Sequence, residues 1–380
     1  MFQEITLNQS NYCFTCSICE FSTSPSSQVI ICKKCKSPLD VKYASLDKSK
    51  TVVNSIDIPL PITSEDLISL GEGNTPTISL NNLSDNLDVR LSTKLEYFNP
   101  TGSFKDRGTS IMISCLKKAG IKEISEDSSG NAGASIAAYA SKAKIKSHIF
   151  APSSAPNAKI NQIKVYGAKT YLISGPRDSA TKEAEIFSKT HGITYASHNL
   201  SPYFIEGTKI FAYEIYRDLY NSHDFPEHIV IPTGNGSLFL GAIKSFLEMH
   251  SSNKINQIPK IHVVQTESIQ PIYALFNRTH WSPSNQSKTI AGGIAVSSPP
   301  RVKQIVKALH ENNGSCEIVS EKEIIEWQLH LANQEGLYIE PTSAAAFAGI
   351  SKLMESKVIK KGSSVLIPST GFGLKDISPI

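Results

Sequence analysis

The stretch NPTGSFKDRG, residues 99–108, places Lys105 directly after a Thr-Gly-Ser turn and at the start of a helix-like run. A helix N-terminus disfavours a cation, because the helix macrodipole there stabilises negative charge by about 0.3–1 kcal/mol. Two interpretations are open: a solvated surface lysine, or a lysine desolvated beside a cofactor, where its amine becomes a nucleophile. The other loops of the chain decide between them.

A cluster of cysteines lies near the start of the chain, in two Cys-x2-Cys pairs formed by Cys16 with Cys19 and by Cys32 with Cys35. Four thiolates from two such turns can surround one zinc ion, and a metal with four protein ligands is structural rather than catalytic. The alternative is four buried or redox-active cysteines. Cys13 could also pair with Cys16, but that pairing would leave Cys19 inside the loop. We therefore predict a zinc ribbon over residues 1–45 with Cys16, Cys19, Cys32 and Cys35 as ligands.

Three later loops carry residue types suited to an anion or an aromatic ligand: SSGNAGAS (128–135), TGNGS (233–237) and STGFGLKD (369–376). Glycines let backbone amides approach an anion closely, and a following helix adds its dipole. Taken alone, the glycine pair in TGNGS is equally compatible with a plain turn. It matches neither the nucleotide P-loop nor the dinucleotide G-x-G-x-x-G pattern.

Short apolar runs alternate with longer amphipathic runs from about residue 85. The predicted strands are 90–97, 124–128, 146–151, 168–173, 228–232, 261–266 and 364–368. The predicted helices include 132–142, 178–190, 205–220, 237–249, 321–335 and 342–354. This alternation indicates an α/β fold with parallel sheets, in which ligands bind beyond the carboxyl ends of the strands. The three loops lie at such ends.

Composition narrows the class of protein. The chain has 380 residues, 40% of them hydrophobic and 19% charged, as in ordinary globular proteins of two to three domains. A net charge of +4 is too small to indicate nucleic-acid binding. No run approaches the roughly 18 apolar residues of a membrane helix, and the first residues lack a signal-peptide pattern. We expect a cytoplasmic protein with no nucleic-acid and no membrane partner.

Together, the lysine, the asparagine loop, the glycine loop and the hydroxyl loop suit one ligand. That ligand carries an aldehyde, a ring hydroxyl, a phosphate and a ring nitrogen, which are the groups of pyridoxal phosphate. The sequence therefore favours a cofactor-bound Lys105 over a solvated one.

At this point the chain resembles the threonine synthase family of fold type II pyridoxal-phosphate enzymes. The resemblance covers nearly all of the chain, including the zinc ribbon that some members carry. Its motifs are LGEGNTP (70–76), NPTGSFKDRG (99–108), SSGNAGAS (128–135), PTGNGS (232–237), EPTSAAAFAG (340–349) and TGFGLKD (370–376). It implies a tryptophan synthase β-like fold with two parallel-sheet α/β subdomains and the cofactor between them. We expect a zinc ribbon at 1–45, a large subdomain at 46–90 and 205–380, and a small subdomain at 91–204.

The resemblance implies a role for each cofactor residue. Lys105 matches the lysine that forms the internal aldimine and then acts as general base. Asn131 matches the asparagine that binds the ring hydroxyl, and Thr370 the hydroxyl that faces the ring nitrogen. The amides that hold the cofactor phosphate belong to Gly234, Asn235, Gly236 and Ser237. A hydroxyl at the ring nitrogen does not enforce its protonation, so we expect the cofactor ring to withdraw electrons less strongly than a ring with a protonated nitrogen.

The resemblance also implies an amino-acid substrate, O-phospho-L-homoserine, which reacts with water to give L-threonine and phosphate. Its carboxylate is expected on the loop residues Ser128, Ser129 and Gly130. Arg107, two residues beyond the lysine, is the leading candidate for the substrate phosphate. Lys159, Arg177 and Lys209 are weaker ones, for which a surface or supporting role is at least as plausible.

Three positions depart from the family pattern. Many members have a threonine where this chain has Ala132, an arginine where it has Phe204, and a histidine or asparagine where it has Phe372. A phosphate dianion needs charged, often bidentate donors, so the lost arginine weakens the assignment of the substrate.

Other functions therefore stay open. The alternatives within the fold are β-replacement on O-phosphoserine, as in cysteate synthase, and a threonine or serine dehydratase. A non-catalytic protein whose ribbon binds a partner is a further alternative, but the chain retains every residue needed to hold the cofactor. Family members often form homodimers, although nothing in the sequence shows an interface.

Overall fold

The computed structural model describes residues 11–128, 130–175, 177–284 and 287–376. The strands are β1 (Tyr12–Thr15), β2 (Ser22–Thr23), β3 (Asp40–Tyr43), β4 (Lys50–Val53), β5 (Ile56–Pro59), β6 (Thr77–Ser79), β7 (Arg90–Lys94), β8 (Glu123–Glu126), β9 (Lys146–Pro152), β10 (Lys169–Ile173), β11 (Thr194–Tyr195), β12 (His228–Pro232), β13 (Lys260–Thr266), β14 (Cys316–Val319) and β15 (Ser364–Pro368). The helices are α1 (Asn81–Leu87), α2 (Lys105–Lys118), α3 (Asn131–Lys142), α4 (Asn157–Val165), α5 (Arg177–His191), α6 (Pro202–Thr208), α7 (Ile210–Leu219), α8 (Ser237–Ser251), α9 (Pro271–Phe276), α10 (Val302–Glu311), α11 (Glu321–Glu335) and α12 (Pro341–Glu355).

One compact unit consists of Met1–Gly73 and Lys105–Ile210. Its main sheet has the order β10-β9-β8-β11, and all neighbouring strands are parallel. The buried run of β9 packs through Phe150 against Ala180 and Ala184 of α5. The cysteine-rich segment forms a separate antiparallel sheet with the order β2-β1-β3. A two-residue turn joins β4 to β5, and both of its residues, Asn54 and Ser55, have positive φ as tight hairpins require.

The other unit consists of Asn74–Phe104 and Phe211–Ile380. Its sheet has the order β14-β13-β12-β15-β7-β6, parallel throughout except for β6, which runs antiparallel to β7. The small residues of α12 pack on this sheet. A Cβ at Gly349 would lie 2.4 Å from Val264, so glycine lets this helix approach the strands closely. Helix α11 begins with a capping box between Ser320 and Glu323, a motif that satisfies free amides at a helix start.

The α/β fold with parallel sheets is confirmed, and every strand predicted from the sequence is present. The predicted helix at 205–220 is two helices, α6 and α7, that meet at Lys209. Strand β14 was not predicted, because its four residues CEIV are too short and too polar to give a pattern. Among the described residues, no helix combines the length and apolarity needed to cross a bilayer.

The two units differ from the predicted domain bounds at residues 46–73, 91–104 and 205–210, the last of which group with the unit that contains α2. Residues 46–73 group with the unit that contains α2, whereas residues 91–104 group with the other unit. The second difference has a clear cause: β7 is hydrogen-bonded to β15 in the six-stranded sheet, with Leu91 opposite Val365. Strand β7 therefore belongs to the unit with the six-stranded sheet, whereas the next helix, α2, belongs to the other unit.

Candidate active site

Lys105 is the first residue of α2, and an aromatic ring lies over its amine. The Nζ atom is 5.8 Å from the centroid of the Phe204 ring, a cation–π distance. Phe204 belongs to α6 and is fully buried. A Cβ at Gly108 would lie 2.6 Å from this ring, so the glycine one turn beyond the lysine makes room for it.

Helices α2 and α6 approach each other closely at a second glycine. A Cβ at Gly207 would lie 2.1 Å from the backbone oxygen of Arg107, which no side chain could accommodate. Neither Gly108 nor Gly207 was expected from the sequence to shape the site. Their common signal is a glycine inside a helical pattern, which often marks a close approach.

Arg107, the predicted phosphate ligand, is fully buried in a cluster of charged and polar groups. Burial raises the pKa of Tyr139 well above its ordinary value, and the charges of Asp106 and Glu72 add to this, while Arg107 opposes it. These four side chains are therefore neighbours inside the unit. The predicted contact of Arg107 with substrate stays a prediction.

Glu72, in the LGEGNTP motif, holds its own loop in place. Its Oε2 atom accepts hydrogen bonds from the Ser69 hydroxyl at 2.9 Å, from the Leu70 amide at 2.9 Å and from Tyr139 Oη at 2.8 Å. Because Tyr139 belongs to α3, Glu72 holds the turn against that helix. These hydrogen bonds favour a fixed turn.

The SSGN loop, at the carboxyl end of β8, leads into α3. Asn131 is the first residue of that helix, and Ser128 Oγ accepts a hydrogen bond from the Gly130 amide at 3.4 Å. Ser129 lies outside the described residues. A Cβ at Gly133 would lie 2.0 Å from the Ser128 carbonyl oxygen, so the loop folds back tightly on the helix.

A hydrogen bond joins the helix of Asn131 to the helix of Lys105. The Ser135 hydroxyl donates to Thr109 Oγ1 at 2.8 Å, and both side chains are fully buried. Lys105 and Asn131, the two predicted cofactor residues of this unit, thus lie at the starts of two helices that a buried hydrogen bond connects.

The glycine loop follows β12 in the other unit and opens α8. Gly236 is the N-cap of α8 with φ of +78°, and no side chain caps this helix start. A Cβ at Gly234 would lie 2.9 Å from Val296, and one at Gly236 would lie 2.4 Å from Ile305. Both glycines are therefore required by the local packing. The first amides of a helix and its dipole are what bind an anion at such a helix start.

Asn235 lies between these glycines and is 9% exposed. Its Oδ1 atom is buried and has no hydrogen-bond partner among the described residues. A buried polar atom of this kind is costly unless a ligand or water satisfies it. This observation fits a ligand-binding loop better than a plain turn.

Thr370, which follows β15, belongs to a chain of buried hydrogen bonds. Its Oγ1 atom is 2.8 Å from Ser343 Oγ and donates to Glu340 Oε1 at 3.3 Å. The Gly371 amide donates to Ser343 Oγ at 3.2 Å. Ser343 and Glu340 lie in the EPTSAAAFAG motif, to which the sequence analysis gave no role.

Phe372, one of the departures from the family pattern, has a packing role. Its ring stacks on Tyr97 with centroids 5.1 Å apart and planes 17° apart. Ala132 is buried at the start of α3.

The structure describes the side chains of two of the other candidate cations, Lys209 and Lys159. Lys209 is fully buried, with its Nζ atom 2.9 Å from Glu206 and 2.6 Å from the Pro59 carbonyl oxygen, and it lies over the Tyr43 ring. Its role is therefore to join α6 to the hairpin and to the cysteine-rich sheet. Lys159 is buried in α4, and the side chain of Arg177 lies outside the described residues.

The four predicted zinc ligands converge on one point. The ligand sulfurs of Cys16, Cys19, Cys32 and Cys35 all lie within 4.8 Å of one another. Sulfurs around tetrahedral zinc lie about 3.8 Å apart, given Zn–S bonds of about 2.3 Å. Cys13 is outside this group and pairs with Lys42 in the antiparallel sheet.

The two cysteine pairs lie in matching turns. The Cys16 amide donates to the Phe21 carbonyl oxygen, and the Cys32 amide donates to that of Ser37, both at 2.8 Å. Glu20 and Lys36, each four residues after the first cysteine of its pair, have φ of 59° and 63°. Two equivalent turns that face each other are the arrangement a four-sulfur metal site needs.

Comparison with known proteins identifies the class to which this fold and site belong. The family described as "Pyridoxal-phosphate dependent enzyme" matches residues 68–371. A fungal L-serine ammonia-lyase from Rhizomucor miehei superposes with a TM-score of 0.70, at 18% identity, over 80% of this chain and 95% of that one. Maize serine racemase gives 0.68 at 21% identity over 79% and 88%. These two show the fold, fold type II, and the chain belongs to the pyridoxal-phosphate-dependent enzymes.

Relatives with higher identity narrow the family. The threonine synthase of Bacillus sp. (strain ULM1) is 37% identical over 310 residues, which is 81% of this chain and 85% of the relative. That of Methanocaldococcus jannaschii is 32% identical over 322 residues, 83% and 79%. That of Methanosarcina acetivorans is 31% identical over 96% of this chain and 92% of the relative. Within its class, the chain belongs to the threonine synthase family of lyases.

Proposed function

We propose that this chain is a threonine synthase that converts O-phospho-L-homoserine and water to L-threonine and phosphate. The observation that carries the proposal is the 31–37% identity, over more than four fifths of the chain, to proteins that bear this name. The geometry of each unit is consistent with it. Lys105 starts a helix beneath an aromatic ring, and the glycine loop offers uncapped amides.

The residues fit pyridoxal phosphate on structural grounds. The phosphate would occupy the start of α8, where the amides of Gly236 and Ser237 lie. Thr370 would face the ring nitrogen, and Asn131 the ring hydroxyl. When bound, the cofactor supplies an aldehyde for covalent attachment and a conjugated ring that accepts electrons.

Lys105 would move the protons. In the substrate the phosphate is on Cγ, whereas in the product the hydroxyl is on Cβ and Cγ is a methyl group. The reaction therefore removes protons from Cα and Cβ, breaks the Cγ–O bond, places a proton on Cγ, adds the hydroxyl of water at Cβ and returns a proton to Cα. The Lys105 amine, which lies 5.8 Å from the centroid of the Phe204 ring, is the group proposed to take the Cα proton.

The substrate phosphate needs donors other than residue 204. Phe204 has no hydrogen-bond donor in its side chain, and Arg107 is fully buried beside Asp106. We propose that Ser128 and its loop hold the substrate carboxylate. The donors for the phosphate are best sought by comparing substrates of different length.

We also propose that the four-cysteine group binds one structural zinc ion. The matching turns and the sulfur separations support this assignment. Four sulfurs leave no open position on the metal, so the ion would fold the segment rather than take part in the reaction.

The test is to incubate the cofactor-loaded protein with O-phospho-L-homoserine and to measure phosphate and threonine together. Equal release of both is expected, with neither from Lys105→Ala and both from Lys164→Ala, which removes an exposed lysine. Phosphate without threonine would contradict the proposal and indicate elimination alone or another acceptor. Turnover of O-phospho-L-serine with a sulfur nucleophile, and none of the longer substrate, would replace it with β-replacement.

A further inference from the structure

Helix α6 lies between the cysteine-rich sheet and α2, the helix that begins at Lys105. It has only seven residues. A helix of this length is not stable on its own in water, because few hydrogen bonds repay the cost of starting it. The position of α6 is therefore set by the side chains that pack against its faces.

One face of α6 meets α2. Phe204 lies against Lys105, with its ring centroid 5.8 Å from the amine nitrogen. Gly207, three residues later, lies against the backbone of Arg107, where a Cβ would be 2.1 Å from the carbonyl oxygen. Residues three apart share a helix face. A shift or rotation of α6 would therefore move the ring relative to the amine.

A second face of α6 meets the cysteine-rich sheet through two polar contacts. Tyr203 Oη lies 3.2 Å from Tyr12 Oη in β1. Glu206, three residues later, accepts a hydrogen bond from the Tyr43 hydroxyl in β3. The Phe14 ring adds an edge-to-face contact with Tyr203, with centroids 5.3 Å apart. The same short helix thus touches the cysteine-rich sheet on one face and the lysine on another.

Tyr12 and Tyr43 form a cross-strand tyrosine pair. They lie opposite each other in β1 and β3, and their ring centroids are 6.2 Å apart. Side chains that face each other in this way support each other's position. Strand β1 ends directly before Cys16, so the turns of the four cysteines hold the strand that carries Tyr12. The tyrosine pair therefore presents two hydroxyls to α6 at a fixed separation.

The Tyr43 contact belongs to a buried charged group. Glu206 and Lys209 are both fully buried, and the Lys209 Nζ atom lies 2.9 Å from the carboxylate and 4.9 Å from the centroid of the Tyr43 ring. Tyr43→Phe would remove one hydrogen bond and keep the ring and the ion pair. This variant loosens the attachment of α6 without leaving an unpaired buried charge, which would cost far more.

We propose that the tyrosine pair, acting through α6, positions the Phe204 ring over Lys105. The proposal rests on the proposed function, in which Lys105 takes the Cα proton and is a cation while it holds that proton. An aromatic ring stabilises a cation over its face. The two tyrosines are positioning residues, because they touch α6 rather than the amine. The cysteine-rich sheet thereby supports the proton transfer without contacting the reacting atoms.

The experiment compares three proteins with wild type: Tyr12→Phe/Tyr43→Phe, Phe204→Leu, and the triple variant that combines them. The full chain without added cofactor is treated with acetic anhydride at pH 8, and the acetylation rate of each lysine is measured by peptide mass spectrometry. Only a neutral amine reacts, so loss of the ring that stabilises the cation should raise the rate at Lys105 about two- to fivefold, the effect of one cation–π contact.

The triple variant separates positioning from a general effect on structure. If the tyrosine pair acts through Phe204, the triple variant should acetylate at Lys105 no faster than Phe204→Leu alone, because effects through one shared group do not add. Lys159, which is buried in α4 of the same unit, serves as the internal reference and should keep its rate. The matched control is Lys42→Ala, which removes the exposed neighbour of Tyr43 in β3 and should leave Lys105 as in wild type.

Turnover of the cofactor-loaded chain gives a second measurement. In both Tyr12→Phe/Tyr43→Phe and Phe204→Leu, kcat for threonine formation should fall about two- to fivefold with little change in KM, since the ring acts on Lys105 rather than on substrate binding. The triple variant should again show no further loss.

Other outcomes would contradict the inference. An unchanged rate at Lys105 in Tyr12→Phe/Tyr43→Phe would overturn it, even if Phe204→Leu does not fold. A rise in the triple variant equal to the product of the two separate rises would overturn it, because the tyrosines would then act without the ring. Equal rises at Lys105 and Lys159 would show a general loosening and would also overturn it. If wild type makes no threonine while the acetylation rates are as expected, the proposed function fails and the contact through α6 stands.

Discussion

Replacement of His262 by glutamine is expected to remove most of the acid sensitivity of the six-stranded unit. His262 lies on β13 and is fully buried, and its Nε2 atom is 2.9 Å from His228 Nδ1 on β12. The Ser315 amide donates to His262 Nδ1 at 3.1 Å. Because Nδ1 accepts, the ring proton of neutral His262 is on Nε2 and is donated to His228. Protonation of His228 at Nδ1 would set its proton against that of His262 Nε2, and protonation of His262 at Nδ1 would set its proton against the Ser315 amide.

The sign and size of the effect follow from the pKa of His262. Burial lowers this pKa from its ordinary value of 6.5 to about 3, with the nearby His228 and Lys260 adding to the effect. The unfolded chain therefore binds a proton below pH 6.5 that the folded chain does not. Stability is complete above pH 6.5 and falls as the pH drops toward 3, by about 1.4 kcal/mol per pH unit. At pH 5 the loss from this one residue is roughly 2 kcal/mol.

The assay is chemical denaturation of the full chain at pH 8 and pH 5, followed by tryptophan fluorescence. Both tryptophans, Trp281 and Trp327, belong to the unit that contains His262, so the signal reports on that unit. His262→Gln keeps a donor toward His228 and has no group that titrates in this range. The matched control is His250→Gln, which removes an exposed histidine at the end of α8.

The comparison is between the losses of stability on going from pH 8 to pH 5. Wild type and His250→Gln should each lose about 2 kcal/mol more than His262→Gln. An equal loss in wild type and His262→Gln would refute the reasoning, because the acid sensitivity would then come from other groups.

Three further changes have defined outcomes. Cys19→Ser should reduce zinc from one ion per chain to nearly none by elemental analysis, whereas Cys13→Ser should retain the ion; retention in both would exclude the four-cysteine site. Glu214→Gln should cost about 3–5 kcal/mol, because it removes the carboxylate 3.1 Å from the fully buried Lys94. Adding Lys94→Met should recover part of that loss in denaturation followed by fluorescence, and no recovery would argue against the buried pair. Gly108→Ala should cost about 1–3 kcal/mol in thermal unfolding followed by circular dichroism, since its methyl would lie 2.6 Å from an aromatic ring, and an unchanged midpoint would contradict this packing.

The parallel-sheet fold could be predicted because its signals are local. The strands HIVIP and SVLIP are continuous apolar runs, as expected where both faces of a sheet are covered. The helix after each run shows its own period, and the loops at the carboxyl ends carry the glycines and hydroxyls. The two cysteine pairs were equally local, since their spacing alone indicates a metal site.

The division into compact units could not be predicted, because it depends on pairing between distant strands. Strand β7 pairs with β15, which lies about 270 residues later in the chain, and no local pattern encodes that partner. The same limit explains why α6 and α7 appeared as one helix. Apolar residues lie on both sides of Lys209, in YFI before it and IFAY after it, and only its buried contacts with Glu206 and Pro59 show how that position is used.

The network around Thr370 was beyond sequence reasoning for a different reason. The residue types were visible in EPTSAAAFAG and TGFGLKD, but hydrogen-bond direction depends on which oxygens lie within reach of one another. Ser343 and Glu340 are 27 and 30 residues from Thr370 in the chain. The sequence therefore identifies the hydroxyl but not the carboxylate that orients it.

The central claim is that water adds at Cβ after the Cγ–O bond to phosphate breaks. The measurement that tests it most directly is turnover of O-phospho-L-homoserine in water enriched in ¹⁸O, with mass analysis of both products. The account predicts threonine with one ¹⁸O in its hydroxyl group and initial phosphate without ¹⁸O. Phosphate that carries ¹⁸O, together with homoserine instead of threonine, would show attack at phosphorus and would contradict the account.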